Sequence, residues 1–567
     1  MTVGDRLAEL LIKYGVEYVF GVPGGQTLPF YEGIRKTDGR LKHILMRDER
    51  SAGFAADAVA RLSGKVSVCD ATVGPGATNL VSPLAEAFCS SIPMLALISD
   101  IPRNWEHLRQ RGNASQAIQQ LAIFRTISKW QATINDPAAV DDIMDNAMRV
   151  ATTGKPGPVV VCMPQDIGMA DVEPSNTFKT SGDGTFPRFR MAPDPDQIRV
   201  ACDCLAQAKK PLLLVGGGAH ISKAGQQVHS LTENLQIPII TTISGKGIIE
   251  ETHSHALGVI GHFGNPIAME MMNQADLVVF IGCKAGQMTT FSYNCPDRGT
   301  KAIHLDIDPE EIGRVFQNSI PLVGDVKLGL EALMNEISQH QLPTWAWNLD
   351  AIKKDWDAWL SKTTENADSA EGRLRPQAVM AAVNNIITPN DILVCDASLA
   401  SGWAASILRF NNAGHNFLAP RGLAGLGWGA PAAVGAALAQ PDAKRIIHFA
   451  GDGGFSYSLQ ELEVMARLNL PVVTIILNND ILGWIKHIQK DNYQGNYISS
   501  DFTHVDFATV AKGFGVKGYT IKALDELDAC LNESTEPDGP VVIDILTDQW
   551  ETPVLNFSPK GGASYGS

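Results

Sequence analysis

The sequence predicts an α/β protein of three domains, each a mostly parallel sheet flanked by helices. Three observations lead there. The chain has 567 residues, too many for one hydrophobic core. Short β-branched runs recur from end to end, each closing on Gly, Asp or Asn with a helical stretch behind it. The runs are apolar throughout rather than alternating, which is the pattern of strands covered on both faces.

In chain order the runs are Val66–Val73, Pro93–Asp100 and Pro158–Pro164, then Pro211–Gly218, Pro238–Gly245, Leu277–Gly282 and Ala302–Asp308, then Ile392–Asp396, Ile446–Gly451, Val472–Asn478 and Val541–Thr547. Two polar stretches interrupt this rhythm. Residues 168–190 are rich in turn formers, and residues 336–372 set Trp345, Trp347, Trp356 and Trp359 among polar neighbours. Reading both as linkers gives domains at 1–167, 190–335 and 373–550, followed by a tail at 551–567. The tail ends in a Gly/Ser segment with little packing power, so it is either a frayed end or a lid over a site. Parallel sheets of this kind bind ligands beyond the C-terminal ends of their strands, so the polar residues closing each run are where chemistry is expected.

Composition narrows the class. Asp+Glu number 61 against 46 Lys+Arg, a net charge of -15, which argues against a nucleic-acid partner. No apolar run approaches the roughly 18–20 residues of a membrane span, so no membrane partner is expected. Asp5 and Glu9 inside the amphipathic Met1–Lys13 segment argue against a signal peptide. Nine cysteines, with no CxxC pair, predict neither a disulfide nor a zinc framework and fit a reducing cytoplasm.

The most specific signal is Gly451-Asp452-Gly453 followed, after 24 intervening residues, by Asn478-Asn479. Each closes an apolar strand. Neighbouring parallel strands would place a carboxylate and a carboxamide at adjoining tips, a hard oxygen pair suited to Mg2+ or Ca2+. Gly453 and Gly454 allow backbone amides to approach a phosphate, and a helix expected to begin near Tyr457 would aim its positive end there. Either motif alone reads as an ordinary turn. The two at this spacing, each after a strand, read as a metal bridging a diphosphate.

This pair resembles the signature of thiamin-diphosphate-binding enzymes, and the resemblance extends over nearly the whole chain to the acetolactate synthase-like (pyruvate oxidase/decarboxylase) family. The segments that carry it are Gly21-Val-Pro-Gly-Gly25, Arg47-Asp-Glu-Arg50, Thr72-Val-Gly-Pro-Gly-Ala-Thr-Asn79, Gly154-Lys-Pro-Gly-Pro158, Ile303-His-Leu-Asp-Ile-Asp308 and Gly422–Pro431. It implies two domains of the thiamin diphosphate-binding fold, one for the pyrimidine and one for the diphosphate, around a central Rossmann-like domain. It implies thiamin diphosphate and Mg2+ as cofactors, with Asp452, Asn479 and the Ile481 carbonyl as metal ligands. Pro23, Gly24, Ser398, Gly453, Gly454 and Leu482 would contact the cofactor. Glu49 would hydrogen-bond the pyrimidine N1', the Ala424 carbonyl would accept from the 4'-amino group, and Leu426 would wedge beneath the rings. Taken alone, Glu49 reads as a solvated acid at a helix N-terminus and Leu426 as core.

Other positions carry two readings. His262, in Gly261-His-Phe-Gly264, is either a proton shuttle beside the substrate or a structural histidine. Trp484 is either a pocket wall or core. Gly216-Gly-Gly218 with Asp306 and Asp308 marks either an adenine-nucleotide site, for FAD or ADP, or an empty scaffold.

The chain also departs from acetolactate synthases. Asp396-Ala-Ser-Leu-Ala-Ser401 stands where the family shows Gly-Gln-His-Gln. Gly282-Cys-Lys-Ala-Gly-Gln-Met288 lacks the family's arginine, Ile488 replaces its pocket tryptophan, and Ser115-Gln-Ala117 replaces Phe-Gln-Glu, leaving Gln116 as a candidate substrate contact. Losing the arginine and tryptophan removes a carboxylate clamp and an aromatic wall. The expected activity is therefore decarboxylation of a 2-oxo acid, by default pyruvate, with acyl transfer to a carbonyl acceptor other than that of branched-chain biosynthesis. Alternatives are a 2-hydroxyacyl-CoA lyase or oxalyl-CoA decarboxylase, for which Lys560 is the one basic candidate for the CoA phosphate, and a non-catalytic cofactor-binding subunit. In this family Glu49 and Asp452 would serve one cofactor from different subunits, so a homodimer or homotetramer with active sites at the subunit interface is expected.

Overall fold

The computed structural model describes residues 1–174, 183–366 and 372–555. The central part of the first expected linker, a short piece of the second, and most of the expected tail, Lys560 included, lie outside the described residues.

Three six-stranded sheets carry the chain, and every strand pairing in them is parallel. The first comprises β1 (Tyr18–Gly21), β2 (Lys42–Leu45), β3 (Ser67–Ala71), β4 (Met94–Asp100), β5 (Trp130–Thr133) and β6 (Val159–Pro164), in the order β2-β1-β3-β4-β6-β5. The second comprises β7 (Pro211–Val215), β8 (Ile239–Thr241), β9 (Ala256–Val259), β10 (Leu277–Ile281), β11 (Lys301–Asp306) and β12 (Ser319–Val323), ordered β12-β11-β10-β7-β8-β9. The third comprises β13 (Asp391–Cys395), β14 (Phe417–Leu418), β15 (Arg445–Gly451), β16 (Val472–Asn478), β17 (Lys517–Ile521) and β18 (Val541–Leu546), ordered β14-β13-β15-β16-β18-β17. All eleven apolar runs named above become strands. The seven strands outside those runs are β1 and the six that edge the sheets.

The described chain forms two compact units. One is Met1–Phe189 with Pro420–Asp442 and Ser458–Leu470; the other is Arg190–Ala419 with Ala443–Tyr457 and the chain from Pro471 onward.

In the first unit the helix Glu49–Ser63 starts at Asp48, whose side chain accepts the Arg50 amide, and stops at Gly64 with φ 66°. Its small residues Ala52, Ala55 and Ala56 are buried, which lets the helix Gly429–Ala439 pack closely against it. A β-carbon at Gly435 would lie 2.2 Å from the Ala55 carbonyl oxygen. Backbone approach at that distance requires glycine.

In the second unit the sheet β7–β12 has apolar layers on both faces. The stretch expected as a partly helical linker carries the helix Leu349–Thr364, and its Trp356 is 2% exposed. The Arg409 guanidinium lies 3.9 Å from the Trp356 ring centroid and the Lys353 ammonium 4.2 Å away. The helix expected near Tyr457 begins instead at Asp452, as the short turn Asp452–Phe455 directly on the end of β15. The sequence supplies glycines there, and these tolerate an abrupt strand-to-helix turn.

Candidate active site

Within the second unit, the two polar motifs sit at adjoining strand tips. β15 and β16 pair with Ala450 opposite Ile476 and Gly451 opposite Leu477, so Asp452 emerges beside Asn478 and Asn479. Asp452 is 6% exposed, and its carboxylate accepts the Gly453 amide at 2.8 Å. Burial pushes this acid up to about 7, against the opposing pull of the Gly453, Asp480 and Asn479 amides. No ion pair neutralises Asp452 among the described residues.

The two asparagines divide their work. Asn478 is buried, and its Nδ2 donates to the Val505 carbonyl and to Asp544, each at 3.0 Å, tying β16 to β18. Asn479, one residue on and half-buried, stands clear of that network; its Oδ1 makes only a long 3.4 Å contact with the Ile481 amide.

The loop that follows is held firmly. The Leu482 amide donates to the Ser500 carbonyl and the Phe502 amide to the Asp480 carbonyl, both at 2.8 Å. Asp480 adopts φ 60° and is clamped by Arg373 at 2.8 Å and His504 at 2.9 Å. The backbone of Ile481 is therefore fixed next to Asn479. Side chains at Gly453 would meet Phe502 at 3.1 Å and Leu482 at 3.2 Å, and at Gly454 the Asp396 carboxyl at 3.3 Å, whereas Gly451 faces open space.

Ser398 begins the helix Leu399–Ile407 with φ 71° and ψ -148°, a region few L-residues occupy, and its side chain makes no capping bond to that helix. His262 is buried with its ring 5.2 Å from Phe291, and Trp484 stacks edge-on against Phe263 at 5.3 Å.

Within the first unit, four motif segments converge past the ends of β1 and β3. Asn79 Nδ2 donates to Glu49 Oε2 at 2.9 Å, and a β-carbon at Gly76 would lie 2.9 Å from Glu49 Oε1, so the carboxylate rests on the Thr72–Asn79 turn. Gly24 crosses the same turn, its β-carbon position 2.3 Å from Thr72 Oγ1, while Pro23 beside it is exposed. Gly74 has φ 73° and presses on the Gln116 carbonyl, 2.2 Å from where its β-carbon would stand. Gln116 itself is exposed with φ 63°.

Ala424 and Leu426 belong to this unit too, on a loop organised by one buried acid. Glu86 is 1% exposed. Its Oε1 accepts the Arg421 and Gly422 amides at 3.1 and 2.9 Å, and its Oε2 accepts the Leu423 and Ala424 amides at 2.7 and 2.9 Å. Ser90 Oγ and Arg61 add further donors at 2.7 and 3.1 Å. Burial opposes ionisation of Glu86, but Arg61 and this nest of amides outweigh it and hold the carboxyl below its ordinary range. Ala424 consequently sits at φ 56°, and Leu426 is half-buried between Gly425, which faces open space, and Gly427 at φ 84°. Arg61 also pairs with Asp57 at 2.8 Å, and Asp57 accepts the Trp428 indole N–H at 2.9 Å.

Comparison with known proteins agrees with this layout. Three domain models of thiamine pyrophosphate enzymes match: the N-terminal TPP binding domain at residues 1–123, the central domain at 198–333 and the C-terminal TPP binding domain at 396–545. A probable acetolactate synthase large subunit of Methanococcus aeolicus is 34% identical, over 99% of this chain and 94% of its own. An acetolactate synthase large subunit of Parasynechococcus marenigrum is 34% identical over 95% of this chain and 86% of its own. A probable acetolactate synthase large subunit of Methanocaldococcus jannaschii is 35% identical over 99% and 94%.

The chain belongs to the thiamine pyrophosphate enzyme family.

Within that family, the donor set of this enzyme suits a diphosphate-bound cation. Asp452 is a buried acid without a counter-charge among the described residues, Asn479 a carboxamide outside the sheet's bonding network, and Ile481 a carbonyl on a fixed loop. Such an acid is expensive to ionise unless a cation accompanies it. The central glycines have a different explanation. β-Carbons at Gly216 and Gly218 would lie 2.3 Å from the Gly282 carbonyl oxygen and 2.7 Å from the Gly282 Cα, so the run is needed where two turns cross. Asp306 caps the Asp308 amide at 3.0 Å. These contacts account for the motif through packing and give no support to FAD or ADP.

Sequence reasoning missed Glu86. Its signal was an acid inside the apolar helical run Leu84-Ala-Glu-Ala-Phe88, at a position where the helix buries its face. Among the described residues, no helix is long and apolar enough to cross a membrane.

Proposed function

We propose that this enzyme uses thiamin diphosphate and Mg2+ to decarboxylate a 2-oxo acid, pyruvate by default, and to transfer the acyl unit to a carbonyl acceptor. The observation that carries the reading is the buried Asp452 carboxylate beside Asn479 at two adjoining strand tips. Bound thiamin diphosphate supplies a nucleophilic carbon and an electron sink for decarboxylation.

The chain's own groups have distinct parts in this reading. Asp452, Asn479 and the Ile481 carbonyl hold the cation, while Gly453, Gly454, Ser398 and Leu482 border the diphosphate. Glu49 hydrogen-bonds the N1' atom of the pyrimidine, with its orientation set by Asn79. Pro23 and Gly24 border the pyrimidine. The Ala424 carbonyl would accept from the 4'-amino group, and Leu426 would pack against the cofactor rings. Gln116 and His262 face the substrate.

The reading includes a homodimer or homotetramer in which Glu49 and Asp452 come from different subunits. Nine free cysteines support a reducing compartment such as the cytoplasm. The name acetolactate synthase carried by relatives at 34–35% identity supports pyruvate as donor. The changes within Gly282–Met288, at Ile488 and over Ser115–Ala117 support an acceptor other than the one used in branched-chain biosynthesis.

Product analysis tests this. With cofactor, Mg2+ and pyruvate, CO2 release and a carboligation product with an aldehyde or ketone acceptor are expected. Acetolactate as the sole product across the acceptor panel would overturn the acceptor assignment, and cleavage confined to acyl-CoA substrates would overturn the donor assignment. Asp452→Ala should lose Mg2+-dependent cofactor retention in a desalting assay; unchanged retention would refute the metal site.

A further inference from the structure

We propose that His253, His255 and Glu233, with His229 beside them, form a binding site for a divalent transition metal of the zinc class, on the sheet β7–β12 and independent of Asp452. The ligand atoms of His253, His255 and Glu233 all lie within 4.8 Å of one another.

Local structure explains why they meet. His229 and Glu233 are four residues apart on the helix Gly225–Leu235 and so share one face. His253 and His255 lie in the turn that leads into β9, where the Ala256 amide returns to the His253 carbonyl at 3.1 Å and the His255 amide donates to His253 Nδ1, also at 3.1 Å. The helix and the approach to β9 bring both pairs together. The His253 and His255 ring centroids are 5.3 Å apart, and those of His229 and His253 are 5.5 Å apart.

Two details point to a ligand rather than to a chance cluster. His253 Nε2 and Glu233 Oε1 already share a proton at 2.5 Å, the place a cation would take. His255 is 6% exposed, yet among the described residues its Nδ1 has no hydrogen-bond partner, so a buried nitrogen is left unsatisfied.

Imidazole nitrogen with one carboxylate suits Zn2+ and its neighbours and not Mg2+, which prefers oxygen. Zinc–ligand bonds of about 2.0–2.2 Å place tetrahedral donors about 3.4 Å apart, so the cluster closes by side-chain rotation alone. Metal at His253 Nε2 puts the ring proton on Nδ1. The His255 amide bond to that atom, now 3.1 Å, is then given up for the metal bond. Once formed, the site would staple the helix to edge strand β9.

The test uses full-length protein stripped with a chelator and held in excess Mg2+, titrated with Zn2+ against a chromophoric chelator. One Zn2+ per chain and a raised unfolding temperature are expected. Glu233→Gln, at an exposed side chain that folding tolerates, should weaken binding about tenfold or more, and His253→Gln should abolish it. Co2+ in place of Zn2+ should give visible d–d bands that His253→Gln removes. Absence of stoichiometric binding, or binding equally strong in both variants, would overturn the proposal. Retention of the one Zn2+ by Asp452→Ala is expected, and its loss would place the ion at the catalytic centre instead.

Discussion

Glu86 and Ala424 are 338 residues apart in sequence, yet the Glu86 carboxylate accepts the Ala424 amide at 2.9 Å, inside a nest of four consecutive amides. A side chain on one helix thereby dictates the left-handed turn of a distant loop. Glu86 touches no proposed cofactor atom, so it is a positioning residue. Glu86→Ala leaves four amides without their acceptor and takes one of two acids from Arg61, a loss of about 3–5 kcal/mol of stability by the precedent of broken buried pairs. Cofactor affinity should fall with it, because Ala424 and Leu426 lose their fixed backbone. Glu86→Gln keeps an acceptor and should show a smaller loss of both. Denaturant unfolding with cofactor titration checks this, and an undiminished affinity in folded Glu86→Ala would detach the nest from the cofactor.

Glu49 and Asp452 lie in separate compact units. If they serve one cofactor from different subunits, Glu49→Gln and Asp452→Ala chains should each be inactive alone and complement when refolded together. Random pairing gives mixed dimers with one intact site in two, hence about a quarter of wild-type activity. No recovery from confirmed mixed dimers would assign both residues to the same chain.

Acid stability should report on His448. It is fully buried on β15, 3.2 Å from Thr474 Oγ1, and burial pushes its imidazole down to about 3 from 6.5. The unfolded chain takes up a proton near pH 6.5, whereas the folded chain resists until near pH 3. The unfolded state therefore binds more protons in that window, and stability falls as pH falls, by about 1.4 kcal/mol per unit well below 6.5. His448→Gln should remove this part of the slope in unfolding free energy between pH 6 and pH 4.5 (about neutral to mildly acid). Parallel slopes for wild type and variant would mean that the native imidazole is already protonated there.

Gly435 tests the helix contact that joins the 420–442 segment to the first sheet's unit. Its missing β-carbon would stand 2.2 Å from the Ala55 carbonyl oxygen. Gly435→Ala ordinarily favours a helix by up to about 1 kcal/mol; here the clash should reverse the sign and destabilise by about 1–3 kcal/mol. Thermal unfolding would show it as a lowered midpoint, and a raised midpoint would mean that the helices separate freely.

The sequence by itself determined the three parallel sheets, the strand tips that carry Asp452 and Asn479, and the thiamin family. The reason is local: a strand buried on both faces must be apolar throughout, and a turn that admits a ligand must be glycine with a polar neighbour. Edge strands such as Lys42–Leu45 and Trp130–Thr133 escaped notice because they are short and partly exposed, so no apolar run marks them. Only the tertiary structure separated Asn478, which braces β18, from Asn479, which stays clear of the sheet. Only it showed that Gly216 and Gly218 are needed for a backbone crossing, that Glu86 holds a loop some 338 residues away, and that Glu233 meets His253 and His255 beside β9. Each of these depends on which distant segments lie within a few ångströms, and hydrogen bonds and metal coordination act only at that range.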